Sequence, residues 1–290
     1  MTPMWKKPLL CSFEATLSPS LVFPEDGLCD ISFFQALEQN RTFLKGKGSE
    51  YDAALNAYLM NAAKQKKTEH GISLDSKYNV AAMKILKEPI AKKTIKELWG
   101  KKIYHWAYLN AEVDDLTAEN ITHLFEILRA TAHKNIRKIA HQELNHTAFY
   151  FTATMAARRY IPEKTYAYLA PMQPSVEELF VDIMAYCKNS KYTYGFQGKD
   201  VVGSFYVSDE EKKFISFDDS KALGMKFCKG KKDLIDVNYG FIAYNVEMDD
   251  PTNKCGKGAY HRVKFLRRLA EFFRDNFTTP DNLKECMKLT

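Results

Sequence analysis

Two stretches of this 290-residue chain carry acidic side chains at spacings suited to acid–base or ligand-binding chemistry. His105-Trp106-Ala107-Tyr108-Leu109-Asn110-Ala111-Glu112 is followed by Val113-Asp114-Asp115. Gly240-Phe-Ile-Ala-Tyr244-Asn-Val-Glu247-Met-Asp249-Asp250 is an apolar run ending in three carboxylates, with Cys255 and an amphipathic helix opening near Tyr260 just beyond. Both read as strands, and a strand turns residues two apart to the same side. Trp106, Tyr108, Asn110 and Glu112 then share a side, which sets one carboxyl group and one uncharged amide in the same row. Chemistry collects at the carboxyl ends of parallel strands in α/β barrels, which is where both acidic clusters fall. The plainer alternative makes Glu112, Asp114 and Asp115 acidic residues ahead of a helix, placed there by its dipole.

Such residues need a framework, and the chain alternates strand-like and helix-like segments, which favours a parallel sheet. Strands are expected at Pro8–Phe13, Leu28–Phe34, His70–Leu74, Ile103–Asn110, Thr147–Met155, Val201–Val207 and Tyr239–Glu247, with an eighth at Thr165–Leu169. Tyr51, Ala54, Leu55, Tyr58, Leu59 and Ala62 recur at helical spacing, as do Ile121, Leu124, Phe125 and Leu128. Over 175–190, Val176, Leu179, Phe180, Ile183, Met184 and Cys187 form a helical stripe behind a Ser175-x-x-Glu178 capping box, so a helix is expected there.

The final strand resembles that of the family 18 glycoside hydrolases, the chitinases and chitinase-like lectins, whose pattern is Gly-x-Met-x-Trp-x-x-Asp-x-Asp-Asp followed by a cysteine. Pro8-Leu-Leu-Cys11 and Leu28-Cys29-Asp-Ile-Ser-Phe-Phe34 look like the family's first two strands, and Phe214–Ser220 like its approach to the last helix. Pro24–Asp30 is similar to a divergent secreted branch known from ticks and related arachnids. The resemblance implies one somewhat degenerate (β/α)8 TIM barrel over residues 1–290. A short interval between the last two strands leaves no room for the small α+β insertion of many chitinases.

It also implies a site. The family uses Asp-x-x-Asp-x-Asp-x-Glu on strand four, with substrate-assisted chemistry in which the acetamido group attacks the anomeric carbon. Glu112 matches the acid, while Asn110, Tyr108 and His105 stand where the family has aspartates. Losing the helper's charge removes electrostatic stabilisation on the order of 10²- to 10³-fold. Tyr244 replaces the stacking tryptophan, and Trp106, Tyr108 and Glu247 are further ligand-binding candidates. The expected protein binds N-acetylglucosamine-type glycans, or acts through a protein partner that the sequence does not identify, with impaired catalysis. The alternative is a working hydrolase with Glu112 as general acid.

Cys11 and Cys29 are usually bonded in the family. For the remaining four, Cys228–Cys255 and Cys187–Cys286 are one arrangement among the fifteen that six cysteines allow. Sequons at Asn40, Asn120, Asn145 and Asn276, with an even cysteine count, suit a secreted glycoprotein. Residues 1–7 lack a signal-peptide core, so an extracellular protein would be a mature form. No apolar run is long enough for a membrane span. The net charge of +6 is spread along the chain, as on the wet faces of helices, so no nucleic-acid partner is expected. His133, His141, Glu143 and His146 lack zinc spacing, and no metal or cofactor is expected.

Overall fold

The structure, a computed structural model, describes residues 9–14, 20–35, 51, 53–75, 87, 89–109, 149–163, 175–198, 202–233, 235 and 239–290. The chain divides into two compact units, Met1–Thr147 and Ala148–Thr290.

The first unit alternates strands and helices: β1 (Leu9–Phe13), β2 (Ile31–Gln35), α1 (Ala53–Lys64), β3 (Glu69–Asp75), α2 (Pro89–Gly100) and β4 (Ile103–Leu109). The four strands lie parallel in chain order. Their register puts Cys11, Ser32 and His70 in one row, and Phe13, Phe34, Ile72 and Trp106 in the next, all on one face. That face carries α1, whose buried stripe is Ala54, Leu55, Tyr58, Leu59 and Ala62, the spacing expected of a one-sided helix. Tyr58 is its anchor, 5.4 Å from the Phe34 ring and 5.7 Å from the His70 ring. Its hydroxyl donates to Ser32 O at 2.6 Å, so the buried polar tip is satisfied. Asp26 accepts from the Lys66, Lys67 and Thr68 amides at 2.8–2.9 Å and fixes the turn from α1 into β3. Cys11 is bonded to Cys29, the pairing the resemblance implies, with Cα atoms 5.9 Å apart.

The second unit is built on two adjacent parallel strands, β5 (Phe149–Thr154) and β11 (Tyr239–Tyr244). Between them the chain forms an antiparallel sheet of β6 (Ala157–Pro162), β7 (Ser175–Val181), β8 (Thr193–Gln197), β9 (Gly203–Ser208) and β10 (Lys213–Phe217), in the order β7-β6-β10-β9-β8. Helix α3 (Ser220–Asp233) then leads back to β11, and α4 (His261–Asp275) and α5 (Leu283–Met287) follow. Ala157, Ile183, Tyr186, Tyr192 and Ile215 form the small core of the inserted sheet. Phe241 of β11 packs on Phe227 of α3 at 4.7 Å and on Phe273 of α4 at 5.6 Å.

Several expectations are corrected here. An inserted sheet is present where none was expected. Val201–Val207 corresponds to β9 of that sheet rather than to a parallel strand. The stretch 175–190 is strand β7 and then a single 3₁₀ turn, Ile183–Ala185, rather than a helix. Ser175 does not cap a helix: its hydroxyl donates to Ile161 O at 3.0 Å, across the ladder to β6. Pairing with β6 overrides the local periodicity, and the supposed stripe is left exposed at Val176 (66%) and Phe180 (53%). The expected Cys228–Cys255 and Cys187–Cys286 bonds are exchanged for Cys187–Cys255 and Cys228–Cys286, with Cα separations of 5.4 and 5.9 Å. Cys228 lies more than two turns into α3, among the residues packed against α5, whereas Cys255 stays in the loop after β11 near the 3₁₀ turn of the insertion. The expected strand Thr165–Leu169 and the helix around Ile121–Leu128 lie outside the described residues.

Candidate functional site

On β4, His105 faces away from α1 and pairs with Glu69 of β3 through Nε2 and a carboxylate oxygen. Trp106 lies opposite Ile72 in the ladder, on the face that carries α1. A bulge between His70 and Gly71 sets this register: His70 is opposite Ile103, but Gly71 is opposite His105. Trp106 therefore belongs with the helix-packed side of the sheet. Tyr108 pairs with Leu74 in the same ladder. Asn110 and Glu112 lie outside the described residues, as do Asp114 and Asp115.

On β11, Tyr239, Phe241 and Ala243 turn toward α3 and α4, and alternation sends Gly240, Ile242 and Tyr244 to the other face. Tyr244 is the last residue of the strand, on the face opposite α3 and α4, and its carbonyl accepts from the Met155 amide at 2.7 Å. Asn245 follows in a left-handed conformation, φ 54°, and breaks the strand into the turn Val246–Met248 that holds Glu247. On the neighbouring strand the Thr154 hydroxyl bonds the Asn245 amide oxygen at 3.0 Å.

The acidic tail of this motif is structural. Asp249 is fully buried and accepts from Arg262 Nε at 2.8 Å, with the Val263 amide on its second oxygen at 3.3 Å. Asp250 accepts from the Lys254 and Cys255 amides, both at 2.7 Å, and shapes the loop that presents Cys255. Arg262 also donates to Met155 O at 2.6 Å, joining the end of β5 to the start of α4. Sequence reasoning passed over this arginine, although a charge on the apolar face of α4 (Val263, Phe265, Leu266, Leu269) was a signal for a buried partner. Of the four sequons only Asn276 is described; it is exposed at the end of α4.

A separate groove of about 460 Å³ lies in the second unit, lined by Tyr194, Asp219, Ser220, Lys221, Lys257, His261, Lys264 and Arg268, with Thr290 at its margin. None of Tyr244, Trp106 or Glu247 lines it. Asp219 caps α3 by accepting from the Ala222 amide at 2.9 Å and takes the Tyr194 hydroxyl at 2.8 Å on its other oxygen. Burial acts to raise its carboxyl, but these bonds outweigh it and hold the group below the usual carboxylate range. Burial pulls His261 down, so its ring is neutral at pH 7.

No protein-family model and no curated protein matches the chain. In fold it is similar to chitinases of glycoside hydrolase family 18, the family that its first and last strands resemble. In particular, the Group IV chitinase of Ostrinia furnacalis is 13% identical with a TM-score of 0.61, over 90% of this chain and 99% of that one. A family 18 N-acetylglucosaminidase from Paenibacillus barengoltzii is 10% identical with a TM-score of 0.55, over 90% and 99% of the two chains. A Rhizomucor miehei chitinase is 11% identical at 0.52, over 90% and 100%. At such identities the shared property is the fold.

Proposed function

We propose that this is a secreted chitinase-like protein, one (β/α)8 domain over residues 1–290, which binds N-acetylglucosamine-type glycans with its hydrolysis impaired. The observation that carries the reading is the place of Tyr244, at the carboxyl end of β11 on the face turned from the helices, within a fold shared with chitinases. An aromatic ring there offers a stacking surface to a sugar. The O. furnacalis chitinase has also been solved with allosamidin, and this chain is expected to take a chitooligosaccharide at the Tyr244 end of β11.

Impairment is supported from two directions. Asn110 brings no charge where the family motif has an aspartate. Trp106, two residues upstream of Tyr108 in the motif's even-numbered set, lies on the helix-bearing face, which is the outer face of a barrel. Secretion is supported by three disulfides with no free cysteine, and no helix among the described residues is long and apolar enough to cross a membrane. Calorimetry with chitohexaose and an assay of its cleavage test the reading. Binding without cleavage is expected, weakened about tenfold or more by Tyr244→Ala. Cleavage that Glu112→Gln abolishes would establish a working hydrolase instead.

A further inference from the structure

The groove beside the starts of α3 and α4 uses no residue of the proposed sugar-binding strand ends. Four cationic side chains line it: Lys221 from α3, Lys257 from the loop between β11 and α4, and Lys264 and Arg268 from α4. His261, Lys264 and Arg268 recur at three and four along one face of α4, a run of about 10 Å at 1.5 Å per residue. Lys221, Lys257 and Arg268 form no ion pair among the described residues. The one acidic side chain in the lining, Asp219, is only 5% exposed and already engaged by the Ala222 amide and the Tyr194 hydroxyl. The lining thus carries more cationic than acidic side chains, Lys221, Lys257, Lys264 and Arg268 against Asp219, and is longer than a single small anion requires.

One aromatic ring, Tyr194, lines it. Tyr194 is 46% exposed, and its hydroxyl bond to Asp219 fixes the ring. Behind it Tyr206 makes an edge contact at 5.8 Å, and Phe217 stacks on Tyr206 at 5.2 Å. Lys221 sits 4.0 Å over the Phe196 ring, which holds its ammonium at the rim. A rigid ring face beside spaced cations fits a pyranose carrying anionic substituents: the ring takes the apolar sugar face and the cations take the charges. Three disulfides suit an oxidising compartment, where such chains are a more accessible polyanion than nucleic acid. We propose that this groove is a second binding site, for an acidic polysaccharide bearing sulfate or carboxylate groups.

The test uses the intact protein and a heparin-derived hexasaccharide at about 0.15 M salt. Parallel titrations use a hyaluronan hexasaccharide, a polyglutamate of matched charge, a DNA hexamer and neutral chitohexaose. Binding of either acidic oligosaccharide, weakened at least about tenfold by Lys257→Glu with Arg268→Glu, supports the site. Heparin alone would assign it to sulfate, and both sugars together to sugar-borne anions in general. Both substituted cations, Lys257 and Arg268, are exposed, and circular dichroism would check that the variant folds. No binding of either acidic sugar overturns the proposal. So does binding that ignores the two substitutions, or equal binding of polyglutamate or DNA. Chitohexaose titrations of the same variant report separately on the Tyr244 reading, since its groove-lining residues are not involved there.

Discussion

Arg262 is fully buried, and its guanidinium holds Asp249, Met155 O and Met248 O together at the point where β5, the turn after β11 and α4 meet. A buried pair of this kind contributes little net stability against an apolar replacement, but removing one member strands the other charge. Arg262→Met is expected to destabilise the fold by about 3–5 kcal/mol, read from urea denaturation. Asp249→Leu added to it should recover part of the loss, because the orphaned carboxylate goes with it. His70 behaves differently. Burial pulls its pKa from 6.5 to about 4, so it is neutral in the folded state at pH 7. The unfolded chain takes up a proton near pH 6.5 while the folded chain resists until about 4. Stability contributed by the neutral ring is therefore present above 6.5 and lost as pH falls toward 4, by about 3 kcal/mol at most. Urea midpoints measured between those pH values should fall steeply for the parent and less for His70→Gln.

At the scale of elements, the two long-loop disulfides do different work. Cys228–Cys286 holds the short α5 to α3, and Cys187–Cys255 ties the inserted sheet to the loop after β11. Replacing both Cys187 and Cys255 by serine is expected to cost about 2–5 kcal/mol and to raise amide exchange around Tyr186 and Tyr192 before it does so in α4. Exchange rising uniformly through the second unit would contradict that order. These elements also mark where the sequence was informative. β1, β3, β4 and β11 announced themselves because apolar runs between polar turns leave few alternatives, and α1 because its stripe faces one sheet. β7 did not, since Val176, Leu179, Phe180 and Ile183 satisfy a helical period and the pairing that decides their fate comes from β6. Cysteine partners were hidden for the same reason: connectivity depends on which side of α3 is reached by α5, and no local spacing records that.

At the scale of the molecule, the parallel-sheet class and the kinship to chitinase folds were readable from the two ends of the chain, where strand-end motifs survive. The insertion is hidden in the sequence because β9 reads as one more parallel strand and β7 satisfies a helical period. What the motif makes legible is the position of Tyr244 at the end of β11, whereas the facing of Trp106 is not, since the bulge at His70 and Gly71 shifts what a simple alternation implies. The cationic groove had no motif at all, because Lys221, Lys257 and Arg268 come together only once the loop after β11 has turned back over α3.

β5 and β11 are neighbours, although the 84 residues 155–238 lie between Thr154 and Tyr239. Everything between them is an excursion that leaves and re-enters the same seam. With Cys187 on the outgoing part and Cys255 beyond the return, a single cut in the backbone at any point from 188 to 254 would leave the pieces covalently joined. In a protease-rich setting such a chain outlasts its first wound, staying whole until a reductant arrives.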